Sequence, residues 1–222
     1  MVNIIKEYIP KYTKARPCYS MFPLYITIHN TGNTDIGANA ERHAYYKTVN
    51  GGQNKATSYH FVVDEEEVIQ LIPCNEVSWH AGDGVDGTGN RKSISIEICE
   101  NSDGDLHGAT ENAVELVRYL MGKYDIPIEN VVPHEHWSGK NCPARLLAGE
   151  PYSWEEFLNR CSKEEKQEMT YYENLTDIPE GELRDNVEKL IQRGILRGTG
   201  NGLHISMDLV RTITILTRAG VL

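Results

Sequence analysis

The chain has 222 residues, 40% apolar and 24% charged, ordinary values for a globular protein of one fair-sized domain, or one domain and a small appendage. Its 32 acidic against 22 basic residues leave a net charge of −10, which argues against nucleic-acid binding and against adhesion to a membrane through a polybasic face. The opening MVNIIKEYIPKYTKARP holds no long apolar core and no small-residue cleavage site, so neither a secretory signal nor membrane insertion is expected, and the odd, scattered set Cys18, Cys74, Cys99, Cys142 and Cys161 suits a reducing compartment better than a disulfide framework.

In chain order, LYITIH (24–29) alternates strictly, with Leu24, Ile26 and Ile28 on one face and Tyr25, Thr27 and His29 on the other, the period of a half-buried strand. The turn-rich NTGNTDIG leads to a short helix over ANAERHAYYKTV, closed by Gly51 and Gly52. SYHFVVD (58–64) and EVIQLI (67–72) read as a hairpin around an acidic turn. SISIEIC (93–99) is a further strand, with Glu97 on its polar face. A helix is predicted to start near Thr110 as its cap, with Ala113, Leu116, Val117, Leu120 and Met121 at helical spacing. A short strand follows at 130–133, and Ser153 with Glu156 forms a capping-box pattern for WEEFLNRC. Interleaved strands and helices with one hairpin predict an α/β domain over residues 1–161, a mixed central β-sheet flanked by helices. The charged SKEEKQEMT within 162–170 reads as a linker, and residues 171–222 as a small helical module of two amphipathic helices around GTGNG.

VVPHEHWSGKNCPARLL (131–147) concentrates metal-binding chemistry. An imidazole at His134 or His136 and a thiol at Cys142, on a path stiffened by Gly139 and Pro143, offer two ligands of a catalytic metal, which typically takes three and keeps a fourth position open. His29 is the third candidate, because it ends a strand whose other face is apolar. Against this stand two plainer facts: the spacing between His134 and Cys142 is not a standard structural zinc spacing, and a lone strand-end histidine is usually a solvated or hydrogen-bonded residue.

Five motifs in order, ITIHNTG (26–32), SYHFVV (58–63), WHAG (79–82), SIEICEN (95–101) and HEHWSGKNCP (134–143), resemble the zinc-dependent N-acetylmuramoyl-L-alanine amidases of the type 2 family, a group that includes phage endolysins and peptidoglycan recognition proteins. The resemblance covers about residues 20–160. It implies hydrolysis of the amide between the lactyl group of N-acetylmuramic acid and L-alanine, with one zinc ion per chain. Carried over residue by residue, it implies His29, His134 and Cys142 as metal ligands, selecting His134 over His136. It implies Lys140 beside the developing oxyanion, Glu97 as proton carrier, and Tyr59 as a group that bonds the attacking water or orients substrate. His80, Asn30 and Trp137 are candidates to line a groove for sugar and stem peptide. His136 stands where relatives often carry an acidic residue.

The tail resembles short C-terminal modules that follow amidase domains in endolysins, and more loosely surface-layer homology modules through its D-I-P and later K-L…R-G-I. That likeness implies cell-wall binding or dimerisation, the plainer alternative being a helical cap on the first domain. Residues 163–222 carry 8 basic and 10 acidic side chains, so the tail is no cation grip for anionic wall polymers. A catalytic domain, then a short module, without a signal, fits a phage or prophage endolysin made in the cytoplasm and acting on the wall after holin-dependent release. An alternative from another class is a non-catalytic peptidoglycan-binding protein of the same fold.

Overall fold

The computed structural model describes residues 3–163, 171–198 and 202–221. They fall into two compact units, Met1–Lys163 and Glu164–Leu222. In the first unit a six-stranded sheet runs β1 (Ile4–Lys6), β4 (Val68–Gln70), β3 (Phe61–Val63), β5 (Ser93–Ile98), β2 (Tyr25–Asn30) and β6 (Val131–Pro133). Among the described strands of this sheet the β3–β4 hairpin alone is antiparallel and the other strand pairs are parallel, so the sheet is mixed as expected.

The strict alternation of β2 and β5 decides which face each side chain takes. Ile26, Ile28, Ile94, Ile96 and Ile98 are fully buried in one cluster with Ala113, Leu116, Val117 and Leu120 of α3 (Leu106–Tyr124) and Phe157 of α6 (Trp154–Ser162). The opposite face packs Val62, Ile69 and Leu71 against Ala40 and Ala44 of α1 (Ala40–Thr48). His29 and Glu97 sit on this second face and are register partners across β2 and β5. The short helix α2 (Thr88–Lys92) leads directly into β5.

Several boundaries differ from the sequence reading for local reasons. Helix α3 begins at Leu106 rather than near Thr110, because the Asp105 side chain accepts the backbone N–H of His107; the Thr110 hydroxyl donates to the Leu106 carbonyl within the first turn. Strand β1 was not foreseen: three residues, IIK, are too short to show a period. Ser153 does cap α6, accepting from Glu156 N–H at 3.2 Å.

In the second unit, β7 (Tyr171–Tyr172) pairs antiparallel with β8 (Ile205–Ser206), beside α7 (Glu182–Gln192) and α8 (Met207–Arg218). Ile178, Val187, Leu190, Val210 and Ile213 form its own small core. The amphipathic helices were legible, and the two-residue strands were not. Residues 164–170 of the expected linker, and the centre of GTGNG at 199–201, lie outside the described residues.

One polar knot ties the sheet of the first unit together. His60 is fully buried and accepts the Ser95 backbone N–H at its Nδ1 (3.0 Å). Its Nε2 therefore carries the proton and donates to the Glu76 carbonyl at 2.9 Å, while the Ser78 and Ser95 hydroxyls lie 3.1 and 3.0 Å from Nδ1. Burial drives its pKa down from 6.5 to about 4. The folded value lies below the unfolded one, so this neutral imidazole leaves stability untouched above pH 6.5 and costs stability as pH falls from 6.5 towards 4. The expected loss is about 3 kcal/mol across that window. Urea unfolding of the wild type and of His60→Asn at neutral and acid pH measures it: the variant should lose less stability than the wild type on acidification.

Candidate metal centre and active site

The centre forms at the carboxyl ends of parallel strands, where α/β sheets commonly present ligands. His29 is the next-to-last residue of strand β2, and the His134 backbone N–H donates to the Ile28 carbonyl at 3.2 Å, which brings residue 134 alongside residue 29. The segment after β6 folds back through α4 (Glu135–Ser138), ended by Gly139 at φ +72°, a left-handed conformation that costs glycine no Cβ clash. The loop closes when Glu135 N–H donates to the Cys142 carbonyl at 3.1 Å, and α5 (Ala144–Leu147) follows. Asn30 Oδ1 accepts the Arg145 N–H at 3.1 Å, tying the end of β2 to this segment.

As a result His29, His134 and Cys142 each offer one ligand atom, all within 4.8 Å of one another, and all three residues are buried. The ring nitrogens are sorted by their neighbours. His134 Nε2 donates to the Ala81 carbonyl at 3.0 Å, which leaves Nδ1 a lone pair with no hydrogen-bond partner among the described residues. His29 Nε2 lies 3.0 Å from His80 Nδ1, while His29 Nδ1 faces Cys142 Sγ at 3.8 Å. Burial first, then His80 and His134, hold His29 well below the ordinary imidazole range; burial and Lys140 lower His134. Both rings are thus neutral, as ligands must be. Burial raises the Cys142 thiol to about 11, opposed by the Asn30 backbone. A buried thiol beside two imidazole lone pairs, with every distal nitrogen already engaged, fits a borderline divalent metal.

The remaining candidates fall into distinct places. Glu97 is half-buried, its Oε2 makes no hydrogen bond among the described residues, and burial pushes its pKa to about 8 while Lys140 and Lys47 pull it down. Lys140 is exposed, and its charge reaches His29, His134 and Glu97. The Tyr59 hydroxyl is buried without a partner among the described residues, and burial, then Glu97, raises its pKa. Asn30 keeps a buried Nδ2 without a partner among the described residues. His80 stands behind His29 as its hydrogen-bond partner. Trp137 is half-buried, donating its indole N–H to Thr27 Oγ1 at 2.9 Å and meeting Tyr25 edge-on. His136 is exposed, outside the cluster, its ring against Trp137.

Two supports were not found from sequence. The Ala81 carbonyl fixes His134, and Asn90, 5% exposed, accepts both the His80 and Ala81 N–H groups at 2.8 and 3.0 Å. Its own amide donates to the Gly84 carbonyl at 2.9 Å. A backbone acceptor has no residue signature, and Asn90 lies in the five-residue helix α2, too short to show a helical period. The WHAG motif was visible, but not its service to both histidines.

Known proteins share this arrangement of sequence and fold. The chain is 52% identical over 157 residues to the N-acetylmuramoyl-L-alanine amidase XlyA of Bacillus subtilis (strain 168), a match covering 71% of this chain and 50% of that protein. It is 51% identical over 162 residues to the N-acetylmuramoyl-L-alanine amidase CwlH of the same organism, covering 73% of this chain and 62% of that one. The match thus spans less than two thirds of either relative's length. A solved structure of a mutant endolysin from Bacillus subtilis, 50% identical, superposes with a TM-score of 0.68 over 73% of this chain and 100% of its own. The N-acetylmuramoyl-L-alanine amidase family (Amidase_2) matches residues 19–145, more than half of the 222, and to that family the chain belongs.

Proposed function

We propose that the protein is a zinc-dependent peptidoglycan hydrolase that splits the amide between the lactyl group of N-acetylmuramic acid and L-alanine. The observation that carries this reading is the buried convergence of His29, His134 and Cys142 within 4.8 Å in a chain of the amidase family. His29 Nδ1, His134 Nδ1 and Cys142 Sγ would hold one zinc ion. Zinc in such a donor set supplies Lewis acidity and makes water nucleophilic near neutral pH.

The chain's own groups complete the chemistry. Glu97 takes the proton of the attacking water and returns it to the leaving amine, a role suited to a carboxyl whose pKa lies near 8. Lys140, free to move at the surface, follows the negative charge that builds on the carbonyl oxygen. Tyr59 offers a buried hydroxyl that stays protonated, a donor for water or substrate. His80 and the Ala81 carbonyl keep the ligand rings oriented, and Asn30 Nδ2 is a donor available to a bound sugar or peptide. The packing of Trp137 on Tyr25 and Thr27 supports a role in holding the 134–142 loop, with only its remaining ring surface left for substrate. Water and amide become a free lactyl carboxylate and a new L-alanine amino terminus.

The test is a digest of purified sacculi followed by mass spectrometry, with and without chelator. New L-alanine amino termini that vanish with chelator are expected. Intact amide bonds in zinc-replete buffer would leave only the non-catalytic binding alternative, and cleavage confined to small acyl peptides would indicate hydrolysis of some other amide.

In this reading residues 1–161 are the catalytic domain and 171–222 a wall-binding or self-associating module. The likeness to a solved endolysin supports a phage or prophage origin, with synthesis in the cytoplasm and release to the wall through a holin. Among the described residues no helix is long and apolar enough to cross a membrane. A chain ending at Lys163 retains both cores of the first unit. It is expected to cleave soluble muropeptides at the full-length rate but to clear intact walls several-fold more slowly, as loss of a second attachment predicts. Equal clearing of turbid cell-wall suspensions by both chains would remove the targeting role.

A further inference from the structure

Helix α1 presents Ala40, Ala44 and residue 47 to the sheet, the i, i+4, i+7 stripe that normally carries apolar side chains. Residue 47 is a lysine, and it is only 6% exposed. Its ammonium donates to the Thr57 carbonyl at 2.9 Å and to Thr57 Oγ1 at 3.3 Å. It also lies 5.2 Å from the centroid of the Tyr59 ring and 5.7 Å from that of Tyr46. A cation brought in from water at a packing position is costly unless its partners compensate. Here the partners are a carbonyl, a hydroxyl and two aromatic faces, with the Glu97 carboxyl in Coulombic reach. Tyr59 needs such a contact, because its hydroxyl has no hydrogen-bond partner among the described residues to fix the ring from the other end.

We propose that Lys47 is a positioning residue for the hydrolysis: anchored on Thr57, its ammonium seats against the face of Tyr59 and sets where that hydroxyl points. The inference rests on the amidase reading above for its functional half. Its physical half, a cation clamping an aromatic ring, stands on geometry alone.

The experiment compares wild type, K47M, K47R, Y59F and K47M/Y59F in the full chain. Tyrosine labelled with carbon-13 gives ring signals, and the one lost in Y59F belongs to Tyr59. In K47M that signal is expected to shift, with zinc content unchanged, kcat down roughly tenfold and KM within about twofold. K47R, which keeps a cation over the ring, should retain kcat within about threefold. K47M/Y59F should be no slower than Y59F, because Lys47 acts through Tyr59. If K47M does not fold, K47Q replaces it, keeping a donor for Thr57 without the charge. An unmoved Tyr59 signal, losses that multiply in the double variant, or K47R as impaired as K47M would each overturn the proposal. A wild type that frees no L-alanine amino termini would overturn the amidase reading, while the tyrosine spectrum would still decide the clamp.

Discussion

Replacing Cys142 with serine is expected to empty the metal centre and end hydrolysis together. The sulfur is buried, 4% exposed at its residue, and lies 3.8 Å from His29 Nδ1. It is the one anionic donor in a set whose other members are neutral imidazoles, so its thiolate supplies the whole charge compensation for a divalent cation. A serine hydroxyl is far harder to ionise and is a poor partner for zinc beside two nitrogens. Zinc should fall from one per chain to near none, and turnover by about a thousandfold, the several kcal/mol a Lewis acid contributes to the transition state. Because the thiol without metal titrates at about 11, loading the centre must release its proton. Zinc content of the wild type should therefore fall as the medium is acidified, which elemental analysis after equilibration at stepped pH would follow. Stoichiometric zinc in active Cys142→Ser protein would break the ligand assignment.

The second large effect separates chemistry from metal binding. Glu97→Gln should keep zinc and fold while kcat drops by about a hundred- to ten-thousandfold, the usual worth of a positioned general acid or base. The amide fills the same space and can still hydrogen-bond, but cannot carry the proton. Glu97 lies on β5 beside His29 in register, and its Oε2 makes no hydrogen bond among the described residues that would tie it to a ligand histidine. Single-turnover rates on purified sacculi, with zinc quantified in the same sample, measure the split. A variant that loses zinc in proportion to activity would show that the carboxylate supports the metal instead of the proton transfer.

What could be read in advance depended on how local each constraint is. Alternation put His29 and Glu97 on the polar faces of their strands, and that holds, because a one-residue shift would expose the isoleucines now packed on α3. That the two strands are neighbours was not legible, since β2 lies between β5 and β6 while the β3–β4 hairpin intervenes in the chain. The helix start moved because an aspartate cap, Asp105, five residues before the expected Thr110, won the competition for free N–H groups. His80 was a candidate to line the substrate groove; the contact of its Nδ1 with His29 Nε2 at 3.0 Å was not legible, because nothing in WHAG signals which neighbour a histidine meets. Lys47 escaped notice for the same reason: a lysine on a short helix reads as a solvated group until its burial is seen.

Zinc K-edge X-ray absorption on the purified full-length protein tests the central claim most directly. Two imidazole nitrogens at about 2.0 Å and one sulfur at about 2.3 Å, with a light atom completing the shell, are expected. A zinc shell without sulfur, or with sulfur retained in Cys142→Ser, would contradict it.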